Sequence, residues 1–311
     1  MLSVRVCFAG SAAFSLPTLH AVARSEHPLV GVLTAPDRPG SRGAAAPRPV
    51  KVAALATGLP VGQPVRLTEE VWRELSSPWK PEVLLVAAYG QLIPSAVLGA
   101  LPRGGLGVHP SLLPRHRGAS PVAAAILAGD PRTGVTVFRM EQDMDAGPIL
   151  AQRALPMPPT ATTPELTSRL AQVGAELAVQ VLDDLEAGDS SAFAQLASGA
   201  TYTHRLSRRD GRLDWSSSAA EVDRSLRALG PWPGVTVPLD GVRVKLLRGS
   251  PAPEAEGREG EILRQGTDWV LVGTAQGAFR LELIQPPGRE AMTPSAFLRG
   301  RQQASRRGRH G

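Results

Sequence analysis

Two side chains in this 311-residue chain have the type and placement to manage a proton. His109 opens the run HPSLLPRHRGASP, and Asp145 lies in the acidic bend DMDAG. An imidazole changes charge near neutral pH, and a carboxylate beside it orients the ring and raises its pKa. Alone, each has a blander reading: a strand-end histidine satisfied by backbone, and a solvated acidic turn. Together they are candidate acid–base machinery.

The surrounding elements must bring them together. The apolar run from Glu82 to Gly90 (EVLLVAAYG) and the shorter Gly105 to Val108 read as strands, with the small-residue run Pro121 to Ala128 as the next helix. His109 then sits at the carboxyl end of a strand, where open α/β sheets bind ligands. Further on, Val135, Val137 and Arg139 alternate as another strand before the bend at Glu141, Asp143 and Asp145. Upstream, Val4 to Gly10 and Leu29 to Leu33 read as strands flanking a helix with Leu16, Leu19 and Val22, so the βα alternation predicts a mostly parallel sheet. No GxGxxG follows the first strand and no GxxxxGK[ST] occurs, which argues against dinucleotide and P-loop chemistry.

A helical pattern from Pro164 to about Leu185 closes a first domain over residues 1–187. Residues 188–207 carry no clear period and read as a linker running over the surface. Over 208–311 the texture changes to five short strand-like pieces: Val235 to Leu239, Val242 to Leu247, Glu261 to Leu263, Trp269 to Val272 and Phe279 to Ile284. Such a set suits a small barrel.

Composition narrows the function classes. The chain is 42% hydrophobic with a mean hydropathy of −0.06, and no apolar run approaches a membrane span. The start lacks a basic lead, so neither signal nor transit peptide is expected, and cytoplasmic location follows by default. The single Cys7 excludes an internal disulfide, and six scattered histidines point away from a metal site. The net charge of +6 comes almost wholly from arginine, the only lysines being Lys51, Lys80 and Lys245, and the pI is about 10.3. That balance suits a polyanionic partner, although an arginine-rich genome raises it too. Ala35 to Lys51 is a Pro, Gly and Arg loop longer than a βα connection usually is. Arg299, Arg301, Arg306, Arg307 and Arg309 form a basic tail, expected to fray in the free protein or to contact phosphate.

Several stretches, taken in order, resemble the enzyme family that transfers formyl groups from 10-formyltetrahydrofolate: FAGSAAFSLPTL, APDRPGSRGAAAPRPVK, VAAYGQLIP, HPSLLPRHRGASP, DMDAG, YTHRLSRRDGRLDWS and LGPWPG. The resemblance implies a Rossmann-like α/β domain with flanking helices and a C-terminal OB-like barrel. It implies formyl transfer to the amino group of initiator methionyl-tRNA, with 10-formyltetrahydrofolate as cosubstrate, no metal, and a monomeric enzyme. His109 would donate to the oxyanion formed when the amine attacks, and Asp145 would hold its charge state and help remove the proton. Ser111, Leu112, Leu113 and Pro114 would contact tetrahydrofolate, and the backbone of Tyr89, Gly90, Gln91, Leu92, Ile93 and Pro94 would wall the pterin pocket. Arg42, with Arg38 and Arg48 nearby, would contact the acceptor stem, although Ala44 and Ala45 stand where the family is often lysine-rich.

One position departs from the pattern. The family carries asparagine two residues before the histidine, and this chain has Gly107. Losing one oxyanion donor typically costs about 10²–10³ in rate, so a slower but working enzyme is expected, accelerated by Gly107→Asn. The competing readings are a formyltransferase acting on a small amine, a formate-releasing hydrolase, and an RNA-binding protein with a decayed active site.

Overall fold

The computed structural model describes residues 3–39 and 45–307. The chain forms two compact units. The first comprises Met1–Val122, Pro131–Met157 and Pro164–His204, and the second Ala123–Asp130, Pro158–Thr163 and Arg205–Gly311.

The first unit is built on a seven-stranded sheet: β1 (Val6–Gly10), β2 (Leu29–Leu33), β3 (Val61–Gly62), β4 (Val83–Ala87), β5 (Gly105–His109), β6 (Arg132–Arg139) and β7 (Ile149–Pro156). Its order is β7-β6-β5-β4-β1-β2-β3. The five strands from β3 to β5 run parallel, while β6 is antiparallel to β5 and β7 to β6. β1 and β5 are buried along their whole length, as expected of runs of small and apolar residues covered on both faces. The helices α1 (Leu16–Arg24), α2 (Pro49–Ala56), α3 (Glu69–Trp79) and α4 (Ser95–Gly99) connect the parallel strands. Thr68 caps α3 by accepting from the Val71 amide at 3.3 Å, and the Arg5 guanidinium takes up the carbonyls of Trp79 and Lys80 at its end. Trp79 packs so closely on β2 that a Cβ at Gly31 would lie 2.3 Å from its ring. Cys7 is buried in the same cluster, with Leu33, Leu84, Trp72 and Tyr89, and burial pushes its thiol far up, so it packs rather than reacts.

The strand order reverses between β1 and β4, which opens a crevice at the carboxyl edge between them. Hydrogen bonds lace the two strand ends together: the Ser11 amide donates to Ala88 O at 3.1 Å, and the Ser11 hydroxyl to Tyr89 O at 2.7 Å. The strand expected over Glu82 to Gly90 stops at Ala87, because Ala88 (φ 46°) and Gly90 (φ 85°) turn the chain into the left-handed region. The helix α5 (Pro121–Ala128) follows β5, and α6 (Thr163–Ala187) buries the stripe Leu166, Leu170, Leu177 and Leu185. The aperiodic segment after α6 runs over the surface but is pinned to it. Phe193 and Ile149 exchange both backbone hydrogen bonds at 2.8 Å, and Tyr202–Thr203 pairs in parallel with Arg117–Gly118.

The second unit carries a five-stranded antiparallel sheet of β8 (Val235–Leu239), β9 (Val242–Ala252), β10 (Ile262–Gln265), β11 (Val270–Gly273) and β12 (Ala278–Gln285), in the order β8-β9-β12-β11-β10. The helix α7 (Ala219–Leu229) begins with a reciprocal capping box between Ser218 and Glu221. The last helix, α8 (Pro294–Arg307), takes up the first part of the basic tail: Arg301 pairs with Asp240 and lies over the Phe297 ring, and Arg299 donates to Thr267 O. Arg309 lies outside the described residues. Among the described residues no helix is long and apolar enough to cross a membrane.

Candidate active site

His109 closes β5 at the carboxyl edge, next to β4, and is only 6% exposed. Its Nε2 lies 2.9 Å from the His116 carbonyl, a contact that requires Nε2 to carry a proton. Its Nδ1 faces Asp145 Oδ2 at 3.6 Å, an ion-pair distance rather than a hydrogen bond. That carboxylate oxygen is fixed in turn by the Gly118 amide at 2.7 Å. The structure therefore joins the two residues that the sequence paired only by type.

Asp145 raises the imidazole pKa as expected, but the net shift runs the other way. Burial dominates and pushes the His109 pKa below its ordinary 6.5, with the Asp145 charge and the His116 carbonyl opposing it. The resting ring is neutral at pH 7, with its Nδ1 lone pair toward Asp145. A proton arriving at Nδ1 would face the Asp145 carboxylate, while the Nε2 proton stays donated to the His116 carbonyl.

The loop after β5 is held from three directions. Ser111 donates its hydroxyl to Arg115 O at 2.6 Å. Thr136, paired with His109 across β5 and β6, accepts from the Leu113 amide at 3.1 Å and donates to Ser111 O at 2.7 Å. Gln152 on β7 reaches Leu113 O at 3.0 Å and Thr136 at 2.8 Å. From the surface segment, Thr201 accepts the His116 amide at 2.8 Å and Thr203 the Ser120 amide at 3.1 Å. The sequence reading missed Thr136, Gln152, Thr201 and Thr203, since each acts over 16 or more residues. Only the partner's position, not a local motif, reveals such a bond.

The residues expected to wall a pterin pocket leave β4 at the same edge. Gly90 is turned outward, with nothing near the place a side chain would take, and Leu92 is 80% exposed. Tyr89 and Gln91 spend their side chains elsewhere. Tyr89 is buried in the core, where burial raises its phenol to about 12, and only its carbonyl serves the loop. Gln91 bridges the Leu67 amide and the Pro64 carbonyl. Ile93 and Pro94 are half-buried, Pro94 just ahead of α4.

Gly107 is not a simple vacancy. It pairs with Phe138 across β5 and β6, and an added Cβ would lie 2.4 Å from the Phe138 ring. The phenyl, 3% exposed, fills the space over the glycine. The expectation that asparagine could simply be restored there is corrected by this contact.

The basic loop divides into what is anchored and what lies beyond view. Arg38–Pro39 and Ala45–Ala46 form a small antiparallel pair. Arg38 is exposed, whereas Arg48 is half-buried and donates to Pro36 O at 2.8 Å. Lys51 and Gln63 bind the two oxygens of Asp37 at 2.6 and 2.8 Å, holding its carboxyl below the usual range. Arg42 and Ala44 lie outside the described residues. Among those described, no cluster of three or more His, Cys, Asp or Glu residues is placed to hold a metal ion.

The scaffold is an α/β unit whose strand-edge loops bring together a buried histidine and a half-buried aspartate, followed by an antiparallel second unit, and comparison places it. The Formyl transferase profile spans residues 4–182, and that of the Formyl transferase C-terminal domain spans 205–302. The chain belongs to the formyl transferase family. It is 43% identical to the methionyl-tRNA formyltransferase of Chloroflexus aurantiacus over 301 residues, covering 96% of this chain and 97% of that protein. It is also 43% identical to that of Granulibacter bethesdensis, covering 95% and 93%. In fold it is similar to the N-formyltransferase of Helicobacter canadensis solved with folinic acid and dTDP-3-aminofucose, at a TM-score of 0.69 and 15% identity, covering 91% and 99%.

Proposed function

We infer that the chain transfers the formyl group of 10-formyltetrahydrofolate to the free amino group of initiator methionyl-tRNA. The observation that carries the chemistry is the buried His109 held between the His116 carbonyl and Asp145.

The folate supplies an activated formyl carbon. The loops after β4 and β5 offer it a fitting edge: an outward-turned Gly90, an exposed Leu92, and the fixed backbone of Ser111, Leu112, Leu113 and Pro114. His109 acts on the proton of the attacking amine. Its neutral Nδ1 accepts that proton, directly or through water, and becomes an imidazolium stabilised by Asp145. The charged ring then provides a positive field for the negative charge developing on the formyl oxygen, and as the tetrahedral intermediate collapses the bond from the formyl carbon to folate N10 breaks and the proton held on the imidazolium passes to N10, releasing tetrahydrofolate. Asp145, fixed by the Gly118 amide, keeps the ring oriented.

Arg38, Arg42 and Arg48 are assigned to the acceptor stem, where phosphate contacts give affinity and register rather than sequence choice. Arg48, tied to Pro36 O, acts by shaping the loop as well as by its charge. Action as a monomer in the cytoplasm, where charged initiator tRNA is found, belongs to the same reading. A small-amine acceptor is disfavoured by full-length identity to relatives named for methionyl-tRNA.

The test supplies 10-formyltetrahydrofolate with initiator and elongator methionyl-tRNA. Faster formylation of the initiator form is expected. Formate release without acceptor, at a rate matching transfer, would contradict the assignment.

A further inference from the structure

His109's two partners both come from strained backbone. The carbonyl belongs to His116 (φ 59°) and the carboxylate to Asp145 (φ 53°), two of the five non-glycine residues with positive φ among those described. Such conformations persist only where the surroundings over-determine them. One side chain touches the structure around both. Gln195, from the surface segment after α6, donates its amide to Asp145 O at 2.8 Å and to Gly147 O at 2.7 Å. Its carbonyl accepts from Arg117 Nη2 at 2.6 Å and Nε at 3.1 Å. Arg117 sits between His116 and Gly118, the residues that hold His109 and Asp145 respectively.

We propose that Gln195 is a positioning residue: its amide ties the acidic turn to the loop after β5 and so sets the spacing of His109 and Asp145. Only a primary amide can do this. It offers two donors to the turn's carbonyls and one acceptor to the guanidinium, in one rigid plane. A glutamate would keep the acceptor for Arg117 but present no donor to two carbonyls. A methionine would keep the volume and lose every bond. The anchorage is independent of Gln195 itself: the Phe193–Ile149 pairing on one side, and on the other the Arg117 guanidinium 5.8 Å from the Tyr202 ring and donating to its hydroxyl. The segment read as a linker thus acts as a strap across both halves of the site.

This inference rests on the His109–Asp145 reading, and the experiment separates the two. Gln195→Met, Gln195→Glu and His109→Ala are compared with the wild type for kcat, for KM of the folate, and for the His109 imidazole ¹⁵N chemical shifts. Gln195→Met is expected to lower kcat about 10- to 100-fold, leave the folate KM within about twofold, and move the His109 ring resonances. Gln195→Glu, which keeps the Arg117 contact and so preserves folding, is expected to show the same split. A kcat within twofold of wild type in both variants, unmoved His109 resonances, or a folate KM rising as far as kcat falls would overturn the role of Gln195. Full activity in His109→Ala would instead overturn the catalytic assignment.

Discussion

The loop after β5 and the basic loop after β2 both serve the proposed reaction, but they are built differently. The first is cross-braced by Thr136, Gln152, Gln195, Thr201 and Thr203, side chains drawn from three separate parts of the chain. The described part of the second is anchored at its base, by the Asp37 contacts and by Arg48 on Pro36 O, and exposes Arg38. Chemistry on a formyl carbon needs groups held to about 0.5 Å, whereas a phosphate contact tolerates a charge on a longer tether. In the proposed reaction, rigidity is concentrated where the bond would change, and charge where the large substrate would dock.

The largest expected effect breaks the rigid side. His109→Ala should lower single-turnover formylation by about 10²–10⁴-fold, the usual worth of a positioned acid–base group, while folate affinity measured by equilibrium titration stays close to wild type. A loss of both together would make His109 a structural residue.

Gly107→Asn should act on packing before chemistry. Its side chain meets the buried Phe138 ring, so denaturant unfolding should show a loss of about 1–3 kcal/mol. Adding Phe138→Leu should recover most of it, because the smaller residue returns the space. Equal stability of the single variant and the wild type would show that the phenyl yields freely.

The smallest effect lies on the docking side. Arg42→Ala should raise KM for charged initiator tRNA several-fold, leave folate affinity alone, and reduce the slope of log affinity against log salt by about 1. A fall in folate affinity instead would remove the distinction between the two loops.

The fold was legible where periodicity is local. The runs at Val4 to Gly10, Leu29 to Leu33 and Gly105 to Val108 are apolar because both faces of a parallel sheet are covered, and the stripe of α6 follows a 3.6-residue period. The His109–Asp145 pair was legible as residue types at two strand ends, and its meaning came from resemblance to a family. What stayed hidden was non-local or energetic. Gln195 lies in a segment without period, and its bonds span 48 to 78 residues. The helical end of the basic tail depends on Phe297 and on Asp240, far back in the chain. The sign of the His109 shift required knowing that burial outweighs the carboxylate, and no sequence pattern carries that balance. Phe138 over Gly107 is a cross-strand contact that only the register of β5 and β6 makes visible.

The central claim is that a neutral, buried His109 accepts the proton with its affinity held up by Asp145. The most direct measurement is the pH dependence of kcat in the wild type and in Asp145→Asn, which keeps an oxygen for the Gly118 amide and removes the charge. Burial places the wild-type acid limb below pH 6.5, with activity present above the limb and lost as pH falls through it. Removing the Asp145 charge takes away a contribution that raises the His109 pKa, so the limb should move to still lower pH while kcat falls by roughly tenfold or more, the worth of a charge-assisted contact. A limb that stays in place or moves to higher pH in Asp145→Asn would contradict the account.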